Sequence, residues 1–195
     1  MSKVVSADEA VGRIRDGATV LIVPMPSEEV YPAFARVFKA TGSPKDLTML
    51  WAAGLGPFSM EAQGMNHFAV PGMVQRIIAA HIGLNHAVMR MVAMNQCEMY
   101  IWPQGTMCQW YREVAAKRPG LLTRVGLHTF IDPRVEGGKA NERTRACEDL
   151  IEVVHLGGRE MLWYKPMPID VAVIRATTAD PNGNLTCEDE ALRME

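Results

Sequence analysis

The chain has 195 residues, with 22 acidic and 20 basic side chains and a formal net charge of −2. This near balance gives none of the electrostatic footprint expected of a protein that binds nucleic acid or an anionic membrane. A hydrophobic share of 48% is enough for a sizeable core, and the length suits one domain over residues 1–195. From the N-terminus, Ser6-Ala7-Asp8-Glu9 is a capping-box pattern, predicting a helix from about residue 7 that Asp16-Gly17 stops. Residues 19–23 are a β-branched run without alternation, as in a strand covered on both faces. Pro24 and Pro26 end it, and Ser27 is placed to cap the next helix. Val30, Phe34, Val37 and Phe38 give that helix an apolar face, which Gly42 closes.

Residues 47–53 read as a second buried strand, followed by a long glycine-bearing loop to Asn66. Residues 71–80 and 84–94 are predicted helical, with Pro71 tolerated in a first turn. Residues 98–102 form the next predicted strand and 104–117 an amphipathic helix directly after it. Residues 150–156 and 159–165 read as a hairpin turned by Gly157-Gly158. A further strand is expected over 169–175, again with a glycine-bearing turn behind it. The pattern predicts an α/β fold, an open and mainly parallel sheet flanked by helices with an inserted β-hairpin. Ligands of such sheets sit beyond the carboxyl ends of the strands. The loops after Val23, Ala53, Trp102 and Arg175 are therefore expected along one edge.

Cys97, Cys108, Cys147 and Cys187 show no C-x-x-C spacing, and the five histidines are dispersed. No metal site is expected, and scattered thiols fit a reducing cytoplasm. The N-terminus lacks the apolar stretch of a signal peptide, and no run is long enough to cross a membrane. The fourteen methionines read as adaptable core filler.

Residues 125–141 read V-G-L-H-T-F-I-D-P-R-V-E-G-G-K-A-N. With few aliphatics, charges of both signs, Asp132 before Pro133 and two adjacent glycines, this is a shaped loop rather than core. It resembles the G-T-F-x-D-P-R-x-x-G-G-K-x-N segment of family I CoA-transferases, the acetate/propionate type. Three further segments resemble that family in the same order. Gly64-Met65-Asn66-His67-Phe68-Ala69, with Gly72, Arg76 and His81, is similar to its G-x-N-H-x-A run. Ile101-Trp102-Pro103-Gln104-Gly105 is similar to its L-P-Q-G turn, and Ala176 to Asn184 to its T-T-A-D-x-x-G-N turn.

The resemblance implies the α-like half of an acyl-CoA:carboxylate CoA-transferase, with a short acyl-CoA and a small carboxylate as substrates. No cofactor would be held permanently; coenzyme A would enter as the acyl-CoA substrate. Such enzymes use a glutamate carboxylate as covalent nucleophile, passing through a glutamyl-CoA thioester. In the family that glutamate lies in a second half, a β subunit or C-terminal domain, which this chain does not contain. The second half is an expected partner, and an oligomer is expected. Relative to the family the chain reads as shortened at its C-terminus.

Carried over residue by residue, Gln104 would donate to an oxyanion or to substrate, with helix capping as its plainer role. Gly105 would let the backbone approach closely. Gly54 and Gly56 would open the loop that shapes an acyl pocket, or make a plain turn. Asn66 and His67 match the family's N-H pair, with a structural histidine as the alternative. Gly137, Gly138, Lys139 and Asn141 end the long motif, Lys139 being either a phosphate contact or a solvated surface lysine. The chain departs from the family over residues 23–31, where prolines and glutamates replace a glycine-rich loop. That departure keeps open another CoA-ester reaction on the same scaffold, such as hydrolysis or ring opening, or a non-catalytic subunit. Sugar-phosphate isomerases share a related fold, but the P-Q-G and D-P-R segments count against them.

Overall fold

The computed structural model describes residues 3–23 and 29–190, so Pro24, Pro26 and the proposed cap Ser27 lie outside the described residues. Its central feature is a five-stranded sheet whose strands all run parallel. They are β1 (Thr19–Ile22), β2 (Leu47–Trp51), β3 (Val74–Ala79), β4 (Glu98–Ile101) and β8 (Val171–Val173), in the order β4-β3-β2-β1-β8. Register aligns Leu21, Leu50, Ile78 and Tyr100 in one row across the sheet. Val20, Met49, Ile77 and Met99 form the adjacent row. Successive side chains of a strand point to opposite faces, so these rows feed two separate cores.

One face is covered by α1 (Ala7–Gly12), α2 (Val30–Thr41), a 3-10 turn at Gly64–Phe68, and α3 (His86–Ala93). Local chemistry starts and stops these elements. The Ser6 hydroxyl accepts from the Glu9 N–H at 3.2 Å, as the capping box predicts. Gly42 takes φ +77° and its N–H returns to the Phe38 carbonyl, ending α2 as a left-handed cap. Tyr31, Phe34, Trp51 and Phe68 make an aromatic cluster on this face.

The opposite face carries α4 (Gln104–Ala115) and a three-stranded antiparallel sheet. That sheet is β5 (Leu121–Thr123), β7 (Arg159–Tyr164) and β6 (Ile151–Leu156), in the order β5-β7-β6. The β6–β7 hairpin turns at Gly157-Gly158, with φ of +58° and +74°, the backbone a two-residue primed turn requires. Trp102 sits edge-on to Trp110 and Tyr164, with centroids 5.4 Å and 5.1 Å away, tying the two sheets together. A short helix α5 (Glu142–Arg145) and a small hairpin of β9 (Thr178–Ala179) with β10 (Leu185–Thr186) complete the described elements.

The sequence reading needs one correction of type. Residues 74–79 are a central strand, not part of a helix over 71–80. Arg76 lies in that strand because Glu98 of the neighbouring strand accepts from its Nε at 2.5 Å, and its guanidinium sits 5.4 Å from the Tyr100 ring centroid. A charge that would disqualify an isolated buried strand is neutralised across the ladder. Nor does the sequence predict β5 or α5, and the other predicted elements shift by a few residues at their ends.

Candidate active site

From β1 to β4 each strand is added beside the last, and the connecting helices lie on one face. After β4 the chain crosses to the other face and returns to place β8 on the far side of β1. The order therefore reverses at β1, which is where open α/β sheets form their binding crevice. Because all five strands are parallel, the segments after β1, β2, β4 and β8 emerge along one edge, as expected from sequence. Two depressions lie there. One, of about 210 Å³, is lined by Val23, Tyr31, Val173 and Arg175 between β1 and β8. The other, of about 340 Å³, lies between the first turn of α4 and residues 125–131.

Gln104 lines the larger cleft. It is the first residue of α4, preceded by Pro103, which has no N–H and supplies no side-chain cap. The Gln104 side chain is exposed and makes no hydrogen bond among the described residues, so it does not cap its own helix. A Cβ at Gly105 would meet nothing within 4 Å, so the fold itself does not demand glycine there.

Gly54 and Gly56 have a packing role. A Cβ on Gly54 would lie 2.8 Å from Trp51 Nε1, and one on Gly56 would collide with Asn85 Oδ1. The loop after β2 can thus lie against the turn before α3. Asn66 holds the same loop from beneath. Its Nδ2 donates to the carbonyls of Ser59 and Glu61 at 2.9 Å and 2.7 Å, and its Oδ1 accepts from the Ala87 N–H at 3.1 Å. His67 is half-buried on the adjoining turn.

The D-P-R…G-G-K-x-N segment is a strap along the free side of β4. The Ile101 N–H donates to the Gly138 carbonyl at 2.7 Å, and the Ala140 N–H to the Met99 carbonyl at 2.9 Å. Gly138 has φ +70°, and a Cβ there would lie 2.5 Å from the Ile101 oxygen. Asp132 anchors the strap. Fully buried, it accepts from the N–H groups of His128 at 2.9 Å and Arg134 at 3.0 Å. It also takes two guanidinium bonds from Arg134, which reaches on to Glu160 at 2.9 Å. The Arg134 guanidinium, with those backbone donors and against the cost of burial, holds the Asp132 carboxyl far below the usual carboxylate range.

Lys139 is not the solvated surface lysine that the sequence left open. It is buried, and its Nζ donates to the Cys147 carbonyl at 2.7 Å and pairs with Asp149 at 2.8 Å. Asn141 is committed on both ends of its amide. Its Nδ2 donates to the Val92 and Cys97 carbonyls at 2.8 Å and 2.9 Å, while its Oδ1 caps α5 through the Thr144 N–H at 3.0 Å. The structure therefore places Gln104 in the lining of the cleft, with Gly105 beside it in the first turn of α4. Gly54, Gly56 and Asn66 frame the next loop, and Gly137, Gly138, Lys139 and Asn141 build the strap.

Sequence reasoning did not single out Val125, Thr129, Phe130 or Ile131, which form the other wall of the cleft. Their signal was present as apolar residues inside an otherwise polar loop. Burial pushes the Cys97 thiol up to about 12 and also raises Cys108 and Cys147, so none of these three is a ready thiolate. Among the described residues no group of three His, Cys, Asp or Glu side chains could hold a metal, and no helix is long and apolar enough to cross a membrane.

The fold is of the α/β class, with a parallel sheet and two depressions beyond the carboxyl ends of its strands, the edge at which open sheets of this kind form their crevices. Residues 4–195 match the coenzyme A transferase family, and the chain belongs to it. It is 45% identical over 194 residues to a caffeate CoA-transferase of Acetobacterium woodii, covering 97% of this chain and 36% of that protein. Crystal structures of YdiF, an acyl-CoA transferase of Escherichia coli O157:H7, are 36% identical. The apoenzyme superposes with a TM-score of 0.87 over 97% of this chain and 37% of that one, and the protein has also been solved as a thioester complex with CoA. The acetate CoA-transferase subunit alpha of Escherichia coli K12 is 28% identical, covering 95% of this chain and 74% of that subunit. The chain thus spans little more than a third of the length of the two more similar relatives.

Proposed function

We propose that this chain is the α-like half of an acyl-CoA:carboxylate CoA-transferase and works with a second half that carries the nucleophilic glutamate. The observation that carries the reading is Gln104. Its amide is uncommitted among the described residues and stands at the first turn of α4, on the sheet edge where a ligand is expected. Family membership and the CoA thioester complex of YdiF supply the chemical class.

In this mechanism a glutamate oxygen of the second half attacks the thioester carbonyl, and the CoA thiolate leaves to give an acyl-glutamyl anhydride. The thiolate then attacks the glutamyl carbonyl, releasing the first carboxylate and leaving a glutamyl-CoA thioester. The incoming carboxylate reverses both steps. Each addition passes through a tetrahedral oxyanion, and the Gln104 amide supplies a hydrogen-bond donor to it. Gly105 leaves space beside that donor. The loop bearing Gly54, Gly56, Asn66 and His67 follows β2 at the same sheet edge. The strap of Gly137, Gly138, Lys139 and Asn141 keeps β4 and the start of α4 in place. Coenzyme A arrives and departs as substrate.

The test is trapping in the complete enzyme. Acyl-CoA followed by hydroxylamine or borohydride should modify a glutamate of the second half, and only when acyl-CoA is present. CoA release at an undiminished rate without any carboxylate acceptor, with no trapped glutamate, would instead mark a hydrolase.

A further inference from the structure

We infer that the cleft between the first turn of α4 and residues 125–131 receives the acyl group and selects uncharged, apolar acyl groups larger than acetyl, with Phe130 as a specificity-determining residue. The inference rests on the CoA-transferase reading and adds the substrate class. The volume of about 340 Å³ lies at the lower end of the roughly 300–1,000 Å³ typical of small-molecule sites, so it suits an aryl or branched alkyl group. Acetyl would leave most of it empty.

The lining decides the polarity. Pro103, Val125, Phe130 and Ile131 present carbon, and among the described residues no charged side chain lines the cleft. The Thr129 hydroxyl is already committed, donating to the Gly126 carbonyl at 2.7 Å and accepting from the Ile131 N–H at 3.2 Å. Gln104 is left to meet the carbonyl end of a ligand. A second carboxylate deeper in the cleft would lose its water without gaining a partner.

The apolar wall cannot fold away. The Tyr164 hydroxyl donates to the Val125 carbonyl at 2.9 Å, and the Asp132–Arg134–Glu160 clamp fixes the loop's far end. Val125 and Phe130 consequently stay 51% and 48% exposed. Both side chains thus stand at the cleft, where an apolar acyl group would cover them. Trp102, fully buried, also lines the cleft, and its indole N–H has no acceptor among the described residues. That nitrogen is itself out of contact with solvent, so it offers no partner to a carboxylate in the cleft.

The test uses the complete enzyme with 3-phenylpropanoyl-CoA, acetyl-CoA and succinyl-CoA, together with calorimetric binding of free 3-phenylpropanoate. The expected result is a kcat/KM highest for the phenylpropanoyl thioester. Phe130→Glu should weaken 3-phenylpropanoate binding about tenfold or more, because a carboxylate replaces the apolar surface that the phenyl group would bury. Phe130→Leu should keep most of the binding, and Leu156→Glu, exposed on the antiparallel sheet, should leave it unchanged. Transfer that favours acetyl or succinyl and ignores Phe130→Glu would overturn the inference while leaving the transferase reading intact. Phenylpropanoate binding that depends on Phe130 without any CoA transfer would keep the cleft and remove the transferase. Absence of phenylpropanoate binding, or binding indifferent to Phe130, would overturn the inference by showing that the cleft is not the acyl site.

Discussion

The backbone N–H of Ile101 donates to the carbonyl of Gly138 at 2.7 Å, and through it the 132–141 segment closes the outer side of β4. An exposed parallel edge would otherwise present unpaired N–H and C=O groups. Gly138 permits the approach, because its φ is +70° and a Cβ would lie 2.5 Å from the Ile101 oxygen. Gly138→Ala should therefore destabilise the fold by about 2 kcal/mol or more, combining left-handed strain with the clash. Urea denaturation of variant and wild type checks this, and Gly157→Ala is a useful contrast, since a Cβ there strains φ but meets nothing within 4 Å.

Acid should loosen the loop that Asp132 organises. Its folded carboxyl titrates below the ordinary value of 3.8 because Arg134 and two backbone N–H groups favour the anion. The unfolded chain then binds the proton more readily. The stabilisation is complete above the unfolded pKa, about 4, and is lost as pH falls from there toward the folded value. Asp132→Asn should lower stability at pH 7 and flatten its pH dependence below about 4. Chemical denaturation at a series of pH values reads both effects, and an unchanged acid slope would remove Asp132 as the cause.

Lys139 and Asp149 should contribute unequally although they form one ion pair. Lys139 is buried and also bonds the Cys147 carbonyl, whereas half of the Asp149 side chain is exposed. Lys139→Met leaves that carbonyl without its donor and should cost about 1–3 kcal/mol. Asp149→Asn removes a half-solvated partner and should cost under about 1 kcal/mol. Thermal unfolding separates them. CoA affinity of the complete enzyme should change little in a folded Lys139→Met protein; a large loss would restore a phosphate contact for this lysine.

Gln104 should act on rate rather than on folding. Its side chain is exposed and makes no hydrogen bond among the described residues. Gln104→Ala should leave the unfolding midpoint nearly unchanged while lowering kcat of the complete enzyme by about tenfold or more. An unaltered kcat would exclude it as an oxyanion donor.

The sequence made the parallel strands legible where largely apolar runs were bounded by glycine or proline, as at Thr19–Ile22 and Leu47–Trp51. It failed at β3, where Gln75 and Arg76 interrupt the apolar run and Ala79-Ala80 raise helix propensity. Only the neighbouring strand explains that segment, because Glu98 and Tyr100 absorb the Arg76 charge. The candidate site was half legible. Gln104 and Gly105 could be placed by the turn that starts α4, but the opposing wall of Val125 and Phe130 comes from a loop about twenty residues further on. Its position depends on Tyr164 and Glu160 from a different sheet.

By itself the sequence determined the α/β class, the hairpin turn at Gly157-Gly158 and the caps Ser6 and Gly42, because these follow from backbone preference and side-chain period within a few residues. The tertiary structure decided what the long motif does. Asp132, Gly138, Lys139 and Asn141 lie close together in the chain and look like one polar loop. Yet their partners are Glu160 by way of Arg134, Ile101, Cys147 and Cys97. Whether a polar side chain faces a ligand or satisfies a buried carbonyl depends on which backbone groups packing leaves unpaired beside it, and that is fixed only when the strands and loops meet.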